Sequence, residues 1–151
     1  MGVTIHYSGT LANASKTEAL LKQASVLATK LHWDFEIADT PNAKISIYPH
    51  PDCEPFTLDP DEDGAIENWV KTQFAGPEVH IQIVDLLEQI TPHFVNLIVE
   101  DEAEYWESRN REILEGHMNQ INEVLRDMQQ ENPAARIQVR ESTGRIVDMI
   151  N

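Results

Sequence analysis

The segment 59–64, Asp-Pro-Asp-Glu-Asp-Gly, matches the opening of a calcium-binding loop, in which alternate carboxylates bind the metal. The carboxylates that would bind calcium are Asp59, Asp61 and Asp63. The twelfth position should hold a bidentate Glu but is Val70, and Glu67 is the obvious spare carboxylate. A tight turn closed by Gly64 at positive φ explains the same residues without a metal.

The histidines and the single cysteine offer a second kind of chemistry, metal-assisted or acid-base catalysis. The segment His50–Cys53 joins an imidazole, a carboxylate and a thiol, but it lacks the paired Cys or His spacing of a zinc site. The acids around Cys53 would raise the pKa of its thiol, which favours a plain loop residue over a nucleophile. An enzyme would need several groups to converge with the acids of 100–104. The candidates are His6, His50, Asp52, His80, His93 and His117.

The segment 100–107 combines five carboxylates with two aromatic residues, between a predicted strand and a predicted helix. Ligand-binding loops often occupy such places. The residues predicted to contact a ligand are Asp101, Glu102, Glu104, Tyr105 and Trp106. Alternatively, the aromatic residues close the core while the acids stay hydrated and favour the N-terminus of the next helix.

Negative charge is concentrated in the middle of this 151-residue chain, whose net charge is −15. Residues 1–51 are neutral and residues 108–151 carry −1, whereas residues 52–107 hold fifteen carboxylates and only Lys71, giving 1 − 15 = −14. This excess excludes binding to a nucleic-acid backbone and disfavours an anionic membrane surface. It is either a hydrated surface that keeps the protein soluble or a surface that binds a cation or a basic protein, and its uneven distribution favours the second.

The hydrophobic pattern predicts an α+β fold in a single domain, 1–151, with about three helices packed on a mostly antiparallel or mixed sheet. A first strand at 3–7 precedes a helix at 15–32, which a capping box from Ser15 to Glu18 would begin. Residues 33–37 and 45–48 predict a hairpin, and 56–58 with Ile66 predict a second one whose last strand fades near Trp69.

The second half of the chain predicts helices and short strands in alternation. Gly76-Pro77 opens a helix, although residues 79–83 also alternate like a strand. Residues 94–99 predict a buried strand, and 110–130 predict the longest helix, ended by Asn132-Pro133. A closing hairpin turns at 142–144. The residues expected on the buried face of the longest helix are Ile113, His117, Ile121, Val124 and Met128, flanked by Leu114 and Leu125.

The segments Val3–Leu11 and Asp101–Glu107 resemble those of a family of small uncharacterised bacterial proteins of similar length. The resemblance implies a bacterial domain that stands alone and assigns no activity, cofactor or site residue. A single cysteine, no signal peptide and no apolar run of membrane-spanning length lead us to expect a soluble cytoplasmic protein.

The sequence therefore predicts a small acidic binding module that engages a basic protein partner through an acidic face. The alternatives are a metal-assisted or acid-base enzyme with a His/carboxylate cluster, and calcium binding at 59–67. Partner identity and oligomeric state stay open.

Overall fold

A computed structural model of the protein describes residues 2–39 and 41–131, and the backbone of 136–140 and 145–150. The fold is α+β, as the sequence predicts. In chain order the elements are β1 Thr4–Leu11, α1 Thr17–Lys30, β2 Asp34–Ala38, β3 Lys44–Tyr48, β4 Phe56–Leu58, β5 Ala65–Lys71, α2 Pro77–Ile90, β6 Phe94–Asp101, α3 Tyr105–Ser108, α4 Arg111–Glu131, β7 Arg136–Arg140 and β8 Arg145–Ile150.

The first sheet has β1 at its centre, with β5 and β6 antiparallel to it on either side. Ile5 and Tyr7 alternate with polar residues, so they face the core while His6 faces outward. The register sets His6 opposite Trp69 on β5 and opposite Glu100 on β6. This sheet therefore has one buried face and one face open to solvent.

The second sheet, in the order β2-β3-β4, shares the main core with the first. The Tyr7 hydroxyl joins the two sheets because it donates to the Thr57 carbonyl at 2.7 Å and accepts from the Thr57 N–H at 3.2 Å. The Tyr7 ring also packs on Phe56 with centroids 4.9 Å apart. Burial raises the pKa of Tyr7, so its hydroxyl stays protonated and can donate.

The helices α1 and α2 cover the core with apolar faces, and a single proline determines where α2 begins. Pro77 begins α2, where its missing N–H costs nothing, after Gly76 at a φ of 98°. This confirms the predicted helix and excludes the strand at 79–83. Leu20, Ala24 and Leu27 of α1 are buried in the same core.

Two local predictions are wrong. Ser15 and Glu18 form no capping box: the Asn13 side chain accepts from the Ser15 N–H at 3.0 Å, a 3-10 turn follows, and α1 begins at Thr17. The strands at 56–58 and 65–71 form no hairpin, because β4 pairs with β3 and β5 pairs with β1. The hairpin of β2 and β3 is confirmed.

The buried face of α4 also differs from the prediction. Leu114, Met118 and Leu125 are buried, whereas Ile113 and Val124 are more than a third exposed. Leu114 and Met118 pack in a second, smaller cluster with Val3 and Ala103, so the helix presents the stripe one residue away from the predicted one.

The closing hairpin is confirmed, since β7 and β8 pair antiparallel. The predicted turn at 142–144 and the helix stop at Asn132-Pro133 lie outside the described residues. Within the described part of the chain, none of the helices has the length and apolar character needed to cross a membrane.

Replacing Tyr7 by Phe should lower the free energy of unfolding by about 1–3 kcal/mol, because two buried backbone groups of Thr57 lose their partner. Tyr48→Phe is the matched control: Tyr48 is 40% exposed and its hydroxyl contacts Glu36 at the surface. Its effect should stay within about 0.5 kcal/mol. Urea denaturation measures both, and equal effects would contradict the bridging role of Tyr7.

Candidate functional site

Asp101 ends β6 on the inward face and binds groups from three directions. Its Oδ2 lies 2.9 Å from His80 Nε2, and both side chains are fully buried. Asp101 Oδ1 accepts from the Ala103 N–H at 2.8 Å, and Oδ2 accepts from the amides of Tyr105 and Trp106 at 3.1 and 2.9 Å. One carboxylate therefore ties β6 to α2 and satisfies the first free amides of α3.

A hydroxyl completes this buried row, because Thr72 Oγ1 lies 2.6 Å from His80 Nδ1. His80 thus contacts the Asp101 carboxylate through Nε2 and the Thr72 hydroxyl through Nδ1. Hydroxyl, imidazole and carboxylate are the groups of a hydrolytic triad. Thr72 and His80 are both 0% exposed, however, so no substrate reaches them in this conformation, and the row acts here as a structural link.

The pKa of Asp101 reflects the same contacts. Burial raises it, but the hydrogen bond and charge of His80 and the amides of Ala103 and Trp106 outweigh burial and hold it below the usual Asp value. The carboxylate is therefore ionised in the folded protein at neutral pH.

The acids on either side of Asp101 face the opposite way. Glu100 precedes it in β6 and Glu102 follows directly after the strand, and both are exposed because side chains alternate in direction along extended chain. Glu102 accepts from the Thr4 N–H at 2.9 Å and lies 3.3 Å from His6 Nε2. Of these three consecutive acids, the middle one is therefore buried and the other two are exposed on the outer side of the sheet.

We call the open face of the first sheet the outer sheet face; its residues are His6, Ser8, Glu67, Trp69, Ile98 and Glu100. They border a cleft of about 370 Å³. Trp69 on β5 is 56% exposed and Ile98 on β6 is 53% exposed, so the face presents two large apolar side chains to solvent, one on each edge strand. Glu67 and Glu100 flank them from opposite edge strands.

No Lys or Arg in the described part of the chain forms an ion pair with Glu67, Glu100 or Glu102. Lys71 is the only Lys or Arg between residues 52 and 107, and its ammonium lies 4.9 Å from the centre of the Phe74 ring. The carboxylates of the outer sheet face therefore have no Lys or Arg counterpart among the residues that the structure describes.

The acids of α2 show the contrasting arrangement. Arg109 pairs with Glu88 at 2.8 Å and lies 3.9 Å from Asp85, and Arg111 pairs with Glu78 at 2.9 Å. Arginines that follow the acidic segment thus neutralise part of it. Among the described residues, the acids of 52–107 that form no ion pair include Glu67 and Glu100 of the outer sheet face and those of the loop at 59–63, and Glu102 contacts His6 instead of a Lys or Arg.

The five predicted contact residues separate in the structure. Asp101 is buried and thus not at the surface, whereas Glu102 borders the outer sheet face. Glu104 instead faces His117 of α4 at 3.0 Å. Tyr105 and Trp106 are partly buried against the core, and the Arg109 guanidinium lies 5.1 Å from the Trp106 ring.

The predicted calcium loop forms the tight turn that was the alternative explanation. Asp61 Oδ1 accepts from the N–H groups of Asp63 and Ala65 at 2.9 and 3.0 Å, and Gly64 has a φ of 81°. Asp59 and Asp63 are exposed on either side. Among the described residues, no group of three or more His, Cys, Asp or Glu side chains is arranged to hold a metal ion.

The histidines that could have formed one site have separate partners. His80 binds Asp101, His93 binds Gln23, and His117 binds Glu104. His50 Nδ1 accepts from the N–H of Asp52 at 3.0 Å within its own loop. An enzyme would need several of these groups to meet in one place, and within the described part of the chain they instead have separate partners.

Cys53 is a partly buried loop thiol that donates to the Lys71 carbonyl at 3.4 Å. Burial, with a smaller contribution from the charge of Glu54, raises the pKa of the thiol to about 12. A thiol in this state is a poor nucleophile at neutral pH.

A second hollow, of about 800 Å³, lies beside His32, Trp33 and Tyr48. It is wide and open, and its polar groups bind one another: Tyr48 donates to Glu36 at 3.1 Å. The outer sheet face is the more distinctive surface because its carboxylates have no such partners among the described residues.

The sequence prediction did not place Glu67, Trp69 and Ile98 on one surface, and it included Glu67 only as a calcium ligand. For Glu67 and Trp69 a signal exists in the alternation of 65–71, where Ile66 and Val70 face inward and these two residues therefore face outward. Comparisons with protein-family models, with curated proteins and with solved structures found no match to this chain.

Replacing Asp101 by Asn should lower the free energy of unfolding by about 2–4 kcal/mol near neutral pH, because a buried charged pair is broken. The pKa of Asp101 is lower in the folded than in the unfolded protein, so its stabilisation is complete above the ordinary Asp value of about 3.9 and is lost as the pH falls through the folded value. The stability gap to the wild type should therefore narrow below about pH 4.

Denaturant unfolding of both proteins across this pH range measures the gap. Glu102→Gln, one residue along the strand and exposed, is the control, with an expected loss under about 1 kcal/mol. A gap that stays constant from neutral to acid pH would contradict the role assigned to the Asp101 charge.

Proposed function

We propose that this protein binds a basic segment of another protein through the outer sheet face and the adjacent Glu102. The observation that carries the proposal is the arrangement of Glu67, Glu100 and Glu102 around two exposed apolar side chains. None of the three carboxylates has a Lys or Arg partner in the described residues.

Unpaired carboxylates on one face repel one another and reduce the stability of the folded chain. A partner that brings Lys or Arg side chains offsets this repulsion and is attracted over a distance of about 10 Å at moderate salt. Charge of this kind determines the association rate and the choice of partner more than the affinity. The acids of α2 do not offer the same attraction, because Arg109 and Arg111 already neutralise them.

The apolar side chains of the face supply the contact that charge alone does not. Trp69 and Ile98 can be desolvated by a partner, and tryptophan is enriched among the residues that dominate binding energy. A Lys or Arg placed over the Trp69 ring gains a cation–π interaction as well. The face therefore favours a segment that combines basic and apolar side chains.

Removing the three charges together should weaken binding of a basic peptide about tenfold. The variant is Glu67→Gln/Glu100→Gln/Glu102→Gln, and the probe is a synthetic peptide of about ten residues in which Lys and Val alternate. Three exposed ion pairs of about 0.5 kcal/mol each give this factor. Anisotropy of the labelled peptide, measured at low salt, reports the dissociation constant.

The matched control removes three exposed acids elsewhere, in the variant Glu18→Gln/Asp34→Asn/Glu123→Gln. It has the same net charge as the test variant and should bind within about twofold of the wild type, because these acids lie on α1, β2 and α4 and not on the strands of the first sheet. Equal weakening by the two variants would show that only net charge matters and would contradict the proposal, as would no binding by the wild type.

A further inference from the structure

The strand β6 is an edge strand whose free side can be identified from the hydrogen bonds. It pairs with β1 and with no other strand among the described residues. The Glu102 N–H donates to the Thr4 carbonyl at 3.1 Å. This bond shows which residues of β6 direct their backbone N–H and C=O groups toward β1. In an antiparallel pair the residues that bond the neighbour alternate, so Glu100 and Ile98 bond β1 while Leu97 and Val99 direct their N–H and C=O groups away from it.

The backbone groups of Leu97 and Val99 have no hydrogen-bond partner within the part of the chain that the structure describes. Both residues are only partly buried, so this edge reaches solvent. Natural sheets protect such edges with proline, lysine or a covering segment. The eight residues of β6 contain neither proline nor lysine, and Val95 beside this edge is 74% exposed.

We propose that the partner binds as an added β-strand on the free edge of β6. This inference rests on the proposed function and specifies how the basic segment is held. Its N–H and C=O groups would pair with those of Leu97 and Val99, as in other complexes where an extended peptide extends a sheet. Main-chain hydrogen bonds would give affinity that does not depend on the sequence of the partner.

The side chains around the edge define which segment fits. An added strand places alternate side chains on the outer sheet face, beside Ile98 and Glu100 with Glu102 beyond, where Lys or Arg is favoured. The remaining side chains lie on the opposite face, beside Leu97 and Val99, which already pack against the core. The partner is therefore an extended segment in which basic and apolar residues alternate.

Charge distinguishes this occupant from a second copy of the chain. Two copies joined at β6 would bring together two outer sheet faces whose carboxylates have no Lys or Arg partner in the described part of the chain, in molecules of net charge −15. Like charges on neighbouring strands destabilise a sheet, whereas opposite charges stabilise it. A basic segment from another protein thus fits the edge better than β6 of a second copy.

The test uses the alternating Lys-Val peptide with the wild-type protein and methylates its backbone nitrogens. In a strand, N–H groups alternate in direction with the same period as side chains, so all the Lys amides face one side and all the Val amides the other. One peptide is N-methylated at the Lys positions and a second at the Val positions. Strand addition predicts that one of them loses at least about tenfold in affinity while the other stays within about threefold of the parent peptide.

Binding of the parent peptide with equal affinities for the two methylated peptides would overturn strand addition. If the two methylated peptides bound equally but the triple Glu→Gln variant still weakened binding, the proposed function would stand and only strand addition would be wrong. No binding of the parent peptide would instead overturn both.

A substitution in the protein, in place of a change to the peptide, tests the same edge of β6. Val99→Pro removes an N–H that faces away from β1, so the pairing with β1 is kept while the free edge is blocked. It should weaken the parent peptide at least about tenfold, with folding checked by circular dichroism. Light scattering of the wild type without peptide should show a monomer; a dimer that Val99→Pro dissociates would identify a second copy as the occupant and contradict the proposal. Should Val99→Pro fail to fold, the methylated peptides decide alone.

Discussion

The buried contact between Asp101 and His80 fixes which side chains of β6 reach the surface. Because Asp101 is held inward by the imidazole and by three backbone amides, strand alternation requires Glu100 and Glu102 to face outward. A slip of one residue would bury these two acids without partners, at a cost of several kcal/mol each. The same contact that stabilises the end of the strand thus places the charges of the outer sheet face.

The fifteen carboxylates of residues 52–107 fall into groups with different surroundings. Asp101 is buried and bound by His80, those of α2 pair with Arg109 and Arg111, and Asp61 closes the turn of the loop at 59–63. The carboxylates of the outer sheet face and Glu102 have neither arrangement among the described residues. The net charge of the segment alone does not distinguish these groups of carboxylates.

The sequence predicted the elements that rest on local chemistry and missed those that rest on distant pairing. Gly64 at positive φ and Pro77 at the first turn of α2 follow from single residues. By contrast, acids 100, 101 and 102 are alike in type, and only the register of β6 against β1 separates the buried one from the exposed ones. His80 likewise gave no sign of its burial, because its partners lie 8 and 21 residues away.

The face of α4 was wrong for a related reason. Its sequence carries two overlapping apolar stripes, and both contain Ile121. The stripe with Leu114 and Met118 is buried because Val3 and Ala103, which are distant in sequence, provide its small core. Helical periodicity alone does not choose between neighbouring stripes when the partner surface is unknown.

Amide chemical-shift mapping of the isotope-labelled protein during titration with the Lys-Val peptide tests the central claim most directly. Binding at the outer sheet face predicts shifts concentrated in the first sheet, with the largest in β6 around Ile98 and Glu100. Shifts centred on the α2 acids near Glu78 and Glu88, or spread evenly over the acidic surface, would contradict it.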